Sequence, residues 1–328
     1  MTRLVLTAAQ QTGILWLTWE RQIRNRSLSR ALGIPLCEIL SNRGRMARYA
    51  SCIGRTVSLL RRRKPSVVVC QNPSAVLSVL LLGLRPILGI KVAIDAHFGG
   101  VEAFNGSRVL QRLLNYCNRI ADLVVVSNEN HAERIRSLGG RVFVCPDPLP
   151  DLSEYRDLGT EISRKVFFIC SFDLDEPYRE VFRAAELLRP DGFRFFVSGN
   201  YRKAGIALGD FPHVDLLGFV PESEYYRHLF SSQVVVDLTV LDNCLVCGAY
   251  EALEAGKPLV LSRKTALQGY FTGGTVYTEN ESGEIATAVR HAHVERIRLA
   301  DECRQWANRA HAEMKVRLAS LGSVLKGL

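Results

Sequence analysis

VVVDLTVLDNCLVCGAYEALEAGKPLVLS, residues 234–262, is the stretch whose reading decides the fold. It opens on a continuous apolar run, Val234-Val235-Val236, the pattern of a buried strand. A polar loop, Asp242-Asn243-Cys244, leads through Gly248 to a short helix that carries Glu251 and closes at Gly256. Lys257-Pro258 bars further helix, because proline has no N–H to give and restrains its predecessor. Leu259-Val260-Leu261 is then a second strand. Strand, loop, helix N-terminus and strand is the layout that brings free backbone N–H groups to an anionic ligand. Glu251 falls in the first turns of that helix, toward the ligand end.

Outward from this stretch the same alternation repeats, short apolar runs with helix-period segments, which predicts parallel sheets with crossover helices. On the C-terminal side, Ala266 to Phe271 reads as a short helix, Thr275 to Thr278 as a strand, and Glu284 to Leu325 as largely helical. Upstream, strands are expected at Lys165–Cys170, Arg194–Val197 and Val214–Leu217, with helices from Pro177 to Leu188 and from Glu222 to Phe230. Past the second of these strands stand Ser198-Gly199-Asn200-Tyr201-Arg202-Lys203. Gly199 permits close backbone approach; Arg202 and Lys203 read either as phosphate-binding charge or as solvated side chains.

Pro146-Asp147-Pro148-Leu149-Pro150 is stiff and extended. It predicts two domains, 1–150 and 151–328, with the last helix packing back on the first. In the first, strands are expected at Ile14–Thr18, Pro35–Leu40, Ser66–Cys70, Lys91–Ile94, Leu123–Val126 and Arg141–Cys145. Helices are expected at Ser27–Leu32, from Met46 to Leu60, at Ser107–Ile120 and at Glu129–Leu138. In the third of these, Val109, Leu110, Leu113, Leu114, Cys117 and Ile120 share one face. Ala75 to Ile90 is the most apolar run, shorter than a membrane span and broken by Arg85-Pro86, and follows the turn Gln71-Asn72-Pro73. Asp95-Ala96-His97-Phe98-Gly99-Gly100 closes a strand where open α/β sheets bind ligands.

Of 328 residues, 47% are apolar and 23% charged, globular values that suit two domains. A net charge of +9 points to anionic partners. With no RNA-binding or zinc-finger signature, nucleic acid is not expected. Nine scattered cysteines do not form a secreted disulfide framework; they read as reduced thiols of a cytoplasmic protein. Cys244 and Cys247 form one isolated CxxC, without the second pair that a zinc site needs. Asp173-Leu174-Asp175 reads as a solvated loop, so no metal is expected. Met1 to Trp19 has only Arg3 as a basic start and no clear small-residue cleavage site, so no signal peptide is expected. Arg61 to Lys64 suits a helix C-terminal dipole, or else, with the apolar run after Pro73, a peripheral contact at the inner face of a membrane.

The opening stretch resembles the signature region of GT-B glycosyltransferases of the family-4-like group. Glu251-Ala252, Gly256-Lys257-Pro258 and the strand after them match it. The resemblance implies a fold of two doubly wound Rossmann-like domains with an interdomain cleft and a C-terminal crossover helix. It implies that Glu251 accepts hydrogen bonds from the ribose of a nucleoside diphosphate sugar. The family's first Glu falls at Asn243, which can hydrogen-bond a sugar but carries no charge; adjacent Asp242 is the other candidate. His97 matches a histidine placed near the donor sugar. Gly218-Phe219-Val220-Pro221 resembles the turn that meets the base, and VFVCPDPLP, residues 142–150, resembles the segment entering the second domain.

The family's diphosphate-binding Arg and Lys fall here at Ser171 or Phe172 and at Glu176. This is a departure that leaves Arg202 and Lys203, or Arg263 and Lys264, to supply charge. N–H groups from Cys244 and Leu245 to Gly248 would help stabilise the leaving diphosphate. The implied function is sugar transfer to an acceptor hydroxyl of a carbohydrate or lipid-linked acceptor, retaining and metal-independent, in polysaccharide or glycolipid assembly. The donor serves as substrate and no cofactor is implied. A non-catalytic glycosyltransferase-like scaffold and a GT-B nucleotide-sugar epimerase are the alternatives. An unrelated nucleotide-binding protein is disfavoured, since neither GxGxxG nor GxxxxGK[ST] stands at a strand–helix turn.

Overall fold

The computed structural model describes residues 13–42, 44–72, 74–103 and 106–328, together with the backbone of 2–5. Most of the segment read for a leader, and the turn residue Pro73, lie outside the described residues. The chain divides into two compact units, one of Met1–Pro148 with Glu313–Leu328 and the other of Leu149–Ala312.

Unit 1 runs β1 (Thr2–Val5), β2 (Ile14–Thr18), α1 (Ile23–Ala31), β3 (Leu36–Ile39), α2 (Arg45–Arg63), β4 (Val67–Asn72) and α3 (Ala75–Leu88). Then come β5 (Lys91–Ala96), α4 (Phe98–Val101), α5 (Arg108–Ile120), β6 (Leu123–Val126), α6 (Glu129–Ser137) and β7 (Val142–Val144). The strands lie in the order β1-β3-β2-β4-β5-β6-β7. All described pairs are parallel except β1 against β3, an edge pairing that the sequence did not suggest.

Every residue of β4 is buried, because helices cover both faces of the sheet. Cys52, Leu60, Leu77, Leu81, Cys117 and Ile135 fill one side, from α2, α3, α5 and α6. Leu28 of α1 fills the other together with Met314, Leu321 and Leu325 from the chain's C-terminal end.

Two expectations change. Pro86 does not break α3, which runs on to Leu88 and ends at Gly89 in the left-handed conformation. So close to the end, proline interrupts little of the helix ladder. On α5, Leu114 and Cys117 are buried, whereas Val109 and Leu113 are exposed. The six apolar positions span two stripes, and one sheet can bury only one of them.

Unit 2 begins with β8 (Lys165–Phe168), α7 (Tyr178–Leu188), β9 (Arg194–Ser198), β10 (Val214–Gly218), α8 (Glu222–Ser231) and β11 (Val234–Asp237). It continues with α9 (Cys247–Glu254), β12 (Leu259–Ser262), α10 (Thr265–Tyr270), β13 (Thr275–Thr278), α11 (Ser282–Val294) and α12 (Arg296–Lys326). Its sheet is wholly parallel, in the order β10-β9-β8-β11-β12-β13. Residues of α12 from Glu313 onward belong to unit 1.

Both sheets are doubly wound. In unit 1 the strand order reverses between β2 and β4, and in unit 2 between β8 and β11. Crossovers leave in opposite directions at those places, which opens a crevice at the strands' C-terminal ends.

Candidate functional site

In unit 2 the crevice is walled by the loops after β8 and β11. Asp237 closes β11 and is buried. Its carboxylate accepts the N–H groups of Gly248 and Ala249 in the first turn of α9. Gly248 is required there, because a Cβ would lie 2.6 Å from Asp237 Oδ2. Burial, then the negative charges of Glu176 and Glu251, push the Asp237 carboxyl well above its ordinary range. The helix N–H groups expected to face a diphosphate therefore begin at Cys247, not Cys244, and those of Gly248 and Ala249 already hold an internal carboxylate. Leu245 turns its side chain into the core. Cys244 is partly buried beside it, in the loop before the helix.

Glu251 lies in the second turn of α9, partly buried. Tyr225 of α8 donates its hydroxyl proton to Glu251 Oε2. Burial raises the carboxyl to about 7, against the lowering effect of that bond. The helix ends in a C-terminal cap in which Gly256 takes φ +67° and Lys257 N–H bonds the Ala252 carbonyl at 2.8 Å.

The loop after β8 is wrapped around an anion from the chain itself. Glu176 accepts the N–H groups of Ser171 at 3.0 Å and Asp173 at 2.8 Å, with the Ser171 hydroxyl at 3.1 Å. Phe172 stands at φ +60° between them, a left-handed conformation that costs about 1 kcal/mol or more. Neither Ser171 nor Phe172, the two positions where the resemblance implies a cation, brings positive charge, and the Ser171 hydroxyl and amide are given to Glu176.

Lys203 pairs with Asp173 and holds that carboxyl below its usual range. Asp175 accepts the Thr239 hydroxyl at 3.0 Å. The loop read as solvated is thus tied down at both carboxylates, and the two are turned to different partners. Among the described residues, no group of three His, Cys, Asp or Glu side chains is arranged to hold a metal ion.

Gly199 follows β9 at φ +91°, where a Cβ would lie 1.9 Å from the Cys170 carbonyl. Its close approach is thus to the neighbouring loop's backbone. Asn200 precedes a short 3-10 turn; in that turn Arg202 is exposed and lies over the Tyr201 ring at 5.0 Å. Phe219 follows Gly218 (φ +72°) and is 86% exposed. Asn243 occupies a turn in the loop after β11, partly buried. Asp242 beside it is exposed and pairs with Lys264 at 3.1 Å, while Arg263 pairs with Glu279 at 3.0 Å.

A cavity of about 500 Å³ lies at the other end of α9, around Glu254. Glu254 binds Arg156 at 3.2 Å and His311 at 2.8 Å there, so this hollow is separate from the Glu251 crevice.

In unit 1, His97 follows β5 and precedes α4. Its Nε2 is buried without a hydrogen-bond partner among the described residues, and Asp95 Oδ2 lies 3.9 Å away. Burial lowers the imidazole below its ordinary value, so it is neutral at physiological pH. Asp95 is committed instead to Arg24 of α1, a buried guanidinium that it meets at 2.9 Å. Arg24 also binds Asp147 at 2.8 Å and the Cys145 carbonyl at 2.8 Å. The glycine after Gly99 serves packing, since a Cβ on Gly100 would come 2.9 Å from Asn72. At the switch point, Gln71 Oε1 accepts from Thr18 at 2.5 Å and from Asn25 at 2.9 Å.

Sequence reasoning missed Tyr225, Asp237 and Arg24. Asp237 left a signal, an acid closing an otherwise apolar strand just before the site loop. Arg24 and Tyr225 left none, because their partners are 71 and 26 residues away.

Two doubly wound parallel units, each gathering polar side chains at its switch point, define a protein of the paired Rossmann-like class. No family model and no curated protein matches the chain. Among solved structures it is similar to HepE of Anabaena in complex with UDP-glucose, at 13% identity over 94% of this chain and 99% of that one, TM-score 0.74. Sucrose-phosphate synthase of Thermosynechococcus elongatus matches at 12% identity over 94% and 97%, TM-score 0.72. The UDP-GlcNAc 2-epimerase of Methanocaldococcus jannaschii matches less well, at 13% over 85% and 92%, TM-score 0.57. The chain has the GT-B fold.

Proposed function

We propose that the protein is a glycosyltransferase that moves a sugar from a nucleoside diphosphate sugar to a hydroxyl of a carbohydrate or lipid-linked acceptor. Unit 2 binds the donor. The observation that carries this reading is Glu251, a partly buried carboxylate held by Tyr225 at the C-terminal edge of a doubly wound sheet. Ribose hydroxyls donating to Glu251 favour its ionised form and bring its carboxyl back down. The UDP-glucose complex of HepE makes a uridine diphosphate sugar the first donor to try.

Charge that develops on the leaving diphosphate is met by Arg202, since the Gly248 and Ala249 N–H groups of α9 already hold Asp237. A donor phosphate oxygen takes the acceptor's proton and the anomeric configuration is retained, so no protein base is assigned.

The test is calorimetric titration with UDP, GDP, ADP and dTDP, followed by transfer of labelled sugar to an acceptor extract. Binding of one nucleotide, lost in Glu251→Ala with the fold intact, supports the reading. Unchanged affinity in that variant removes it.

A second reading, a non-catalytic glycosyltransferase-like protein, is favoured by Glu176, which fills the nest of N–H groups at the switch point. In a transferase, Glu176→Gln tightens nucleotide binding, because a competing anion is weakened. In the scaffold, no nucleotide binds either form.

A further inference from the structure

Of the nine exposed large apolar side chains described in unit 1, Ile23, Met46 and Val316 stand apart on other helices, and the remaining six lie on two. Val76, Val79 and Ile87 stand on the outer side of α3, and Val109, Leu113 and Tyr116 on that of α5, from 37% (Leu113) to 77% (Val109) exposed. The two helices are neighbours, tied by Arg85 of α3, which donates to the Ile120 carbonyl at the end of α5 at 2.8 Å. Apolar side chains gathered on adjoining elements mark an interaction surface, whereas isolated ones do not.

The charge on this face has one sign. Neither α3 nor α5 contains an aspartate or glutamate, while α5 presents Arg108, Arg112 and Arg119 to solvent. None of these three forms an ion pair with a described residue. Arg108, Gln111 and Arg112 also line a hollow of about 300 Å³ at the start of α5, with Ala103 and Gly106. On α5 the cations at 108, 112 and 119 flank the apolar positions 109, 113 and 116, so phosphates and an apolar layer can be met together. An ordinary globular surface mixes both signs. A second copy of the chain would set these arginines against their own equivalents, or against a helix without a counter-charge.

We propose that the outer face of α3 and α5 docks the protein on an anionic lipid bilayer. Arg108, Arg112 and Arg119 meet lipid phosphates, Tyr116 sits at headgroup level, and the aliphatic side chains enter the boundary of the acyl region. Among the described residues no helix is long and apolar enough to cross a membrane, so the contact is a surface one. The inference does not depend on the transferase reading, although a lipid-linked acceptor would give the docking a purpose.

The experiment is co-sedimentation of the full chain, without nucleotide, on vesicles of phosphatidylcholine alone and of phosphatidylcholine with phosphatidylglycerol. Binding is expected on the anionic vesicles only, weakening as salt is raised. At about fivefold per cation, the triple variant Arg108→Gln, Arg112→Gln, Arg119→Gln should lose about 100-fold in partitioning. Val109→Ser with Leu113→Ser should lose about 10-fold or more. Thermal melts should leave both variants close to the parent, because all five side chains face solvent. Removing the same charge from unit 2, with Arg179, Arg183 and Arg189 changed to Gln, should reduce binding far less.

No binding to anionic vesicles, equal binding to neutral ones, or an unchanged triple variant would overturn the proposal. So would light scattering that shows a dimer abolished by Leu113→Ser, which would make the face a contact between copies.

Discussion

Replacing Glu251 by glutamine isolates the energetic consequence of its burial. The carboxyl stands near 7 in the folded protein against an ordinary 4.5. An acid whose folded value lies above its unfolded one holds more protons folded than unfolded. Its contribution to stability is therefore fully present below 4.5 and is lost as pH rises through 7. The full shift corresponds to about 3 kcal/mol, and between about pH 5 and about pH 8 the change is about 2.5 kcal/mol. Glutamine keeps an oxygen for the Tyr225 hydroxyl and carries no charge at any of these pH values. Glu251→Gln should therefore gain on the parent by about 2.5 kcal/mol as pH is raised over that interval. Urea unfolding of both proteins at the two pH values, followed by a probe in unit 2, measures it. Asp237 titrates in both proteins but loses the repulsion of Glu251 in the variant, so Asp237→Asn is placed in both backgrounds to isolate the Glu251 effect. A difference that does not change with pH would refute the burial argument. The same titration should govern ligand binding. If ribose binds the ionised form, UDP should bind about 10-fold more weakly near pH 6 than near pH 8, and the Gln variant should lose that dependence.

Three other perturbations test separate parts of the structure. Gly199→Ala should cost about 3 kcal/mol or more, because it combines a left-handed backbone with a backbone clash; a urea midpoint near the parent's would contradict the loop crossing. Arg24→Met leaves Asp95 buried without its cation and should cost about 3–5 kcal/mol. Adding Asp95→Asn should recover part of the loss, and a purely additive double variant would show that the pair is not coupled. His97→Ala should lower turnover about 100-fold while UDP affinity is retained, since unit 2 carries the nucleotide; normal turnover would leave His97 as a packing residue.

The opening stretch was legible because its signals are local. A valine run, Gly256 and Lys257-Pro258 each restrict the backbone within a few residues, and β11, α9 and β12 follow. The strands expected at Ser66–Cys70 and Leu123–Val126 were equally plain, since a run as apolar as Val67 to Cys70 suits only a strand covered on both faces. The face of α5 was not legible. Both of its stripes are apolar, and which one meets the sheet depends on how the crossover lands.

What the amino-acid order determined by itself was the alternation of strands and helices, the break near Pro148 and the position of Glu251. What only the tertiary structure decided was who holds whom. Tyr225 reaches Glu251, Asp237 caps α9, Glu176 fills the loop after β8, and Arg24 rather than His97 claims Asp95. Backbone preferences are set by near neighbours, so they can be read along the chain. The partner of a buried charge is whichever group the fold brings within about 3 Å, and distance along the chain carries no information about that.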